Sequence, residues 1–302
     1  MKGPKVSVII PTYKRPKFLL RAINSVLTQL YENIELIIVD DNNEGDKYRI
    51  ETENLMNQLK DSRIKYIKHD KNRNGAAARN TGISVSTGFF IAFLDDDDEF
   101  LPDKISNQVK KMEDLDDTWG ACYTSYKKIN KNNNVQYGFE KREGSLLLEA
   151  LMRSLYIGSG SNLFFKRSVI NKIGGFDESF HRNQDLEFLV RVLEKYKMAY
   201  VDTCSLVVHY EIREVNHTYE QLMQIDEYYI SKFKDRIERL NEKERKKVYT
   251  MIALESFRNA IIHGKIFKGT RNIVKVNPII FLKYFFYILN RKVTNRSYGF
   301  KF

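Results

Sequence analysis

Cysteine is scarce: Cys122 and Cys204 are the only two in 302 residues, and they form no CxxC spacing. That excludes a disulfide framework and a cysteine-ligated zinc, and it fits a reducing cytoplasm. Long apolar runs are missing as well. The opening "MKGPKVSVIIPTYKRP" has too short an apolar core for the hydrophobic region of a signal peptide. Near the other end "PIIFLKYFFYILN" is interrupted by Lys283 and falls short of a bilayer span, so it is able to lie on a membrane but not to cross one. There is no GxGxxG, no Walker loop, no internal repeat and no low-complexity linker.

What is present makes a folded protein. The chain is 42% hydrophobic and 13% aromatic, too rich in core-forming residues for a solvated tail. Its length suits one large α/β domain with an extension, or two modest domains. The net charge of +11 by itself does not choose among nucleic acid, an anionic membrane and a phosphorylated substrate. Much of it falls late, in "NEKERKKVY", "HGKIFKGTR" and "LNRKVTNR", where no nucleic-acid motif accompanies it, so no nucleic-acid partner is expected. A solvated helical face is the simplest reading of those residues. Together with "FLKYFFYIL" they would equally suit peripheral membrane contact or a homo-oligomer.

The first 120 residues alternate short apolar runs with helical spacing, the sign of βαβ units and a mostly parallel sheet. "KVSVII", "IELIIVD", "RIKYIKH" and "FFIAFLD" are the expected strands, and Pro16 suits the first turn of a helix carrying Leu19, Ala22, Ile23 and Val26. Farther on, "TWGACYTSYKKI" and "SNLFFKR" read as strands, "NKNNNVQYG" as a polar turn, and "QDLEFLVRVLEKY" as an amphipathic helix. From about His217 the pattern is helical and charged. A change in composition places a boundary near residue 215, dividing 1–215 from a helical extension, 216–302.

Ligands of open α/β sheets bind beyond the carboxyl ends of parallel strands. Three such ends carry polar residues: Pro11, Thr12 and Tyr13; Asp40, Asp41 and Asn42; and the acidic run Asp95 to Glu99. Adjacent carboxylates repel one another, and a cation relieves that repulsion. Magnesium or manganese prefers such hard oxygen ligands and commonly joins one or two carboxylates to a substrate diphosphate. A helix N-terminus would also attract acidic groups, and an aspartate after a strand often only begins a turn. "RNGAAARNTG" adds small residues for close packing and Arg79, whose fork suits a carboxylate or phosphate; alone, it would read as a packed helix with Arg79 in solvent.

As an ordered set, "VSVIIPTYKR", "IELIIVDDNN", "NGAAARNTG", "FFIAFLDDDDEFLPDKI" and "GGFDESFHRNQDLEFLVR" resemble the family 2 glycosyltransferases of GT-A fold, over about residues 5 to 217. The resemblance implies a Rossmann-like, mostly parallel sheet flanked by helices, and transfer of a hexosyl-type group with inversion from a nucleotide-diphosphate sugar. UDP is the favoured nucleotide. The acceptor would be a glycan, lipid-linked glycan or glycoprotein in bacterial surface glycan synthesis. It implies that Pro11, Thr12, Tyr13 and Asp41 enclose the base. It also implies that Asp95, Asp96 and Asp97 form the metal and sugar-nucleotide (DXD) motif, with Asp97 the ligand of Mn2+ or Mg2+.

The family's acidic pair before the late helix is here Gln184 and Asp185; the first departs from the pattern and the second keeps the position of the catalytic base. Arg79, His217 and Arg213 are candidates for the diphosphate, with His217 also able to complete a metal shell, and His181 is a candidate for the acceptor side. "IGSGSN" supplies a flexible turn on the same side. A nucleotidyltransferase would share the sheet and the metal, but its glycine-rich amino-terminal loop is absent. A catalytically silent binding or assembly module would share the fold, and the retained Asp41, Asp95, Asp97 and Asp185 argue against it. A cytoplasmic enzyme, at the inner face of the membrane if the carboxy-terminal segment docks there, is the expectation.

Overall fold

The computed structural model describes residues 3–180, 182–210 and 217–302. Two compact units divide the chain: Met1–Leu146 with Ile157–Glu211, and Leu147–Tyr156 with Ile212–Phe302.

The first unit opens with β1 (Val6–Thr12), α1 (Pro16–Leu27), β2 (Ile34–Asp40), α2 (Lys47–Gln58), β3 (Ile64–Lys68), α3 (Gly75–Val85) and β4 (Phe90–Phe93). Strand β1 pairs in parallel with β2 and β4, and β2 with β3. These runs are apolar and often β-branched, and every residue of β2 is buried, as helices on both faces of a parallel sheet require. On one face Val8, Ile10, Leu36 and Ile38 pack with Leu19, Ile23 and Val26 of α1. On the other, α3 lies close to β1 because Gly82 has no Cβ to collide with Ile9. Asn74, at φ 81°, starts α3 by accepting from the backbone N–H groups of Ala76 and Ala77.

The chain then crosses to the other side of β1, which makes β1–β4 the point where strand order reverses. It continues through β5 (Glu99–Phe100), α4 (Lys104–Glu113), β6 (Trp119–Asn130) and β7 (Val135–Gly138). After α5 (Leu147–Leu151), which belongs to the second unit, come β8 (Phe164–Lys166), α6 (Arg167–Ile173), α7 (Gln184–Leu193) and β9 (Lys197–Tyr210). The sheet runs β7-β6-β8-β4-β1-β2-β3, with β9 beside β5 and β6. Strand β8 is antiparallel to both β4 and β6, so the sheet is mixed, with its parallel half on the β1 side.

Two local expectations change. The end of "NKNNNVQYG" is strand β7 rather than turn: Asn133 takes a positive φ of 58°, and Val135 to Gly138 pair back onto β6. Tyr137 stays exposed, so no apolar alternation marked the strand. In "SNLFFKR" only three residues are strand, because Gly160–Asn162 form a 3₁₀ turn capped by the Ser159 hydroxyl.

The second unit is α5 with α8 (Tyr219–Glu238), α9 (Glu242–Ile262), α10 (Ile266–Ile273) and α11 (Pro278–Thr294). Thr218 and Gln221 form a capping box on α8, and Asn241 and Asn277 cap α9 and α11. Arg153 pairs with Asp226 at 2.6 Å, tying the segment after α5 to α8. Among the described residues no helix is long and apolar enough to cross a membrane.

Candidate active site

The ends of β1 and β4 meet through their polar residues. Thr12 Oγ1 donates to Asp96 Oδ2 at 2.9 Å and the Tyr13 N–H to the same oxygen at 3.4 Å. Arg15 Nη1 reaches Asp97 Oδ2 at 2.6 Å and Asp96 Oδ1 at 3.2 Å, while Arg21 Nη2 donates to the Asp97 carbonyl at 2.6 Å. Asp98 Oδ2 accepts from the hydroxyls of Ser159, 2.8 Å, and Ser161, 2.6 Å. Strand β5 lies between this turn and α4, whose N-cap is Asp103, so Asp95 to Asp98 are not a helix N-terminus. Burial pushes Asp96 up to about 7, with Asp97 and Asp95 adding to the rise and Arg15 and Thr12 opposing it. Burial likewise raises Asp98 to about 8, aided by Asp95 and Asp97.

The end of β2 is arranged differently. Asp40 is fully buried; its Oδ1 accepts from the N–H and side-chain amide of Asn42, and its Oδ2 meets Tyr66 Oη at 2.5 Å and Arg49 Nε at 3.0 Å. Its oxygens are consumed inside the fold, so among the polar residues at this strand end Asp40 is structural. Asp41 Oδ1 contacts His69 Nδ1 at 2.7 Å and accepts from the Arg73 N–H at 2.8 Å, and its Oδ2 accepts from Asn72 at 2.8 Å. Asp41 thereby orders the loop that leads into α3.

Arg79 is not in solvent. It projects from α3 with one nitrogen 2.6 Å from Asp95 Oδ1 and another 3.0 Å from Gln184 Oε1 at the start of α7. Gln184 in turn donates to the Phe180 carbonyl at 2.7 Å. Asp185, in the first turn of α7, is raised above the ordinary aspartate value by burial, with Arg79 opposing and Asp95 adding. Gly160 lies beneath it: a Cβ there would come 3.2 Å from the Asp185 Cβ. One guanidinium therefore joins the acidic turn to the residue pair that opens α7.

Of the remaining residues singled out, Pro11 is half-buried and Tyr13 is 36% exposed at the same strand end. His217 precedes α8 in the second unit. His181 and Arg213 lie outside the described residues. Sequence reasoning missed Arg15, Ser159 and Ser161 as partners of the acidic turn. The signal for Arg15 was its place just after the β1 end in "PTYKRP"; for the serines it was the "IGSGSN" turn.

Among the described residues no three His, Cys, Asp or Glu side chains form a ready metal cage. Arg15 pairs with Asp96 and Asp97 and Arg79 with Asp95, and burial holds Asp96 and Asp98 well above their ordinary pKa. Closely spaced hard oxygen donors, two of them held back from ionising, would suit a divalent cation.

This is the strand-end arrangement of a GT-A sheet, and comparisons with known proteins agree. The family model "Glycosyl transferase family 2" matches residues 7–174, and the chain belongs to that family. An uncharacterized glycosyltransferase of Rickettsia felis is 46% identical over 139 residues, which are 45% of this chain and 22% of that protein, so the chain spans about a fifth of it. The GalNAc(5)-diNAcBac-PP-undecaprenol beta-1,3-glucosyltransferase of Campylobacter jejuni is 31% identical over 187 residues, 60% of this chain and 57% of that one. Among solved structures, S. aureus TarS 1-349 in complex with UDP-GlcNAc gives a TM-score of 0.62 at 18% identity, covering 91% of this chain and 76% of that one. Mannosyltransferase PcManGT from Pyrobaculum calidifontis in complex with GDP-Man and Mn2+ gives 0.59 at 17% identity, covering 97% and 80%. These likenesses show the GT-A fold.

Proposed function

We propose that the chain is an inverting glycosyltransferase that moves a sugar from a nucleotide-diphosphate sugar, with UDP as the nucleotide, to a hydroxyl of a lipid-linked or related bacterial surface glycan. The observation that carries the reading is the Asp95–Arg79–Gln184 bridge, which sets the acidic turn beside a half-buried carboxyl, Asp185, at a helix start. The name of the Campylobacter relative and the UDP-GlcNAc in TarS support the acceptor class and the nucleotide.

An acceptor hydroxyl is a poor nucleophile near neutral pH, so a positioned base must take its proton as it attacks the anomeric carbon. Asp185 has that role: its raised pKa brings it nearer the operating pH, and Arg79 holds its surroundings in place. Asp41, Thr12 and Tyr13 border the base, and Arg15 and Arg79 keep the acidic turn in one conformation. Asp97, with Asp95, would hold Mn2+ or Mg2+, which supplies positive charge to the departing diphosphate. A single displacement with base assistance inverts the anomeric centre.

The test is Asp185→Asn. Donor affinity should persist while single-turnover transfer falls roughly 100-fold or more, the scale of lost general-base assistance. In the wild type, kcat/KM should rise with pH through a limb above the ordinary aspartate value, because ionised Asp185 is the active form and its pKa is raised. Undiminished transfer by the variant removes Asp185 from the chemistry, and a product of retained configuration removes direct displacement.

A further inference from the structure

Helix α11 is apolar on two sides. One side, with Tyr284 and Tyr287, is buried: Tyr284 Oη bonds Glu255 of α9 at 2.5 Å, and Phe281 meets Phe257 of α9 at 5.7 Å between ring centroids. The other side repeats at helical spacing through Leu282, Phe285, Phe286, Leu289 and Val293, and all five are exposed, Phe286 at 56% and Val293 at 78%. Just before it, α10 and the turn after it expose Phe267 at 94% and Val274 at 80%. Half of the large apolar side chains exposed among the described residues lie beyond Tyr249. A monomer rarely leaves so much apolar surface in water without an occupant for it.

Charge identifies the occupant. After Glu255 the chain carries ten Lys and Arg and not one Asp or Glu. Glu255 is itself engaged by Arg258, 2.7 Å, and Tyr284. A symmetric contact through this face with a second copy would set these cations against each other with no acid from the same segment to answer them. An anionic lipid surface answers both features: its headgroups match Lys275, Lys283 and Lys292, and its acyl boundary takes the apolar stripe. Pro278–Thr294 is 17 residues long with Lys283 and Lys292 exposed within it, too short and too charged to cross a bilayer.

We propose that the outer face of α11, with the exposed apolar residues of α10, docks the protein on an anionic membrane leaflet. The assignment stands independently of the reaction proposed above, and its test uses no nucleotide or acceptor. Full-length protein is sedimented with vesicles of phosphatidylcholine alone and with vesicles containing phosphatidylglycerol, at low and high salt. Binding is expected to the anionic vesicles, to weaken with salt, and to fall by about 10-fold or more in Phe285→Ser/Phe286→Ser, which removes two exposed rings. A circular-dichroism melt of that variant confirms that the helices persist; should it fail to fold, Lys283→Glu/Lys292→Glu carries the same expectation. Equal binding by the folded variants, or no binding to anionic vesicles at low salt, overturns the proposal. So does a dimer in analytical ultracentrifugation that Phe285→Ser/Phe286→Ser dissolves, which would give the face to a second copy of the chain.

Discussion

Strands β2 and β4 both end in aspartates, two rows of carboxylates at one edge of the same sheet, and the fold treats them in opposite ways. At β2 the chain brings its own donors: Asn42, Tyr66 and Arg49 satisfy Asp40 oxygen by oxygen, while His69, Asn72 and the Arg73 N–H hold Asp41 in the loop before α3. At β4 Thr12, Arg15, Arg79, Ser159 and Ser161 all contact the acidic turn, yet burial leaves Asp96 and Asp98 reluctant to ionise. The lesson is that an aspartate after a strand has no role of its own. A filled set of donors makes it structural, and burial that holds it partly protonated makes it a candidate place for a ligand.

The contrast is most open to breaking at Asp40. Asp40→Ala leaves the Arg49 guanidinium buried and without its counter-charge, and should cost about 3–5 kcal/mol of stability. Urea unfolding measures it; an unchanged midpoint would mean that the β2 end is not structural. Asp97→Ala should spare stability by comparison and weaken UDP binding roughly 10-fold or more when Mn2+ is present, with little change in its absence. Calorimetry with and without the metal decides, and equal affinities under both conditions would take Asp97 out of the metal site.

Asp41→Ala sits between the two cases. It should lower nucleotide affinity with or without metal by about 1 kcal/mol, the scale of one hydrogen bond, and loosen the loop before α3. A loss confined to the metal-containing titration would give Asp41 a different role. A separate effect, on pH dependence alone, concerns Lys104, whose buried Nζ lies 3.0 Å from Asn162 Oδ1. Burial lowers its pKa to about 7. Between that value and the ordinary lysine range the unfolded chain binds the extra proton, so this group makes stability rise with pH from about 7 upward. Lys104→Met should flatten that part of the stability–pH curve, and an unaltered slope would show that Lys104 does not contribute to it.

Much of the parallel half was legible because its signals are local. "IELIIVD" is β2 from end to end, and Pro16 does begin α1. Strand β7 was not legible, since an exposed four-residue strand with Tyr137 in solvent has no alternation to read. The positions that carry candidate chemistry were visible as residue types, while their partners were not. Arg79 looked like a surface residue of a helix until α7 arrived to receive it. Gln184, a departure from the family's acidic pair, proves to be the neutral acceptor of that same guanidinium.

Sequence alone determined the succession of buried strands and amphipathic helices, the acidic run after β4, and the acid-free basic segment after Glu255, because each depends on residue type and spacing within a short window. Tertiary structure alone decided which donors meet each carboxylate. Thr12 and Asp96 are 84 positions apart and Arg79 and Gln184 are 105 apart, and no local pattern carries a hydrogen bond across that distance. The same holds for α11: its apolar residues were in plain view in the sequence, but only packing against α9 could cover one side of the helix and leave the other exposed.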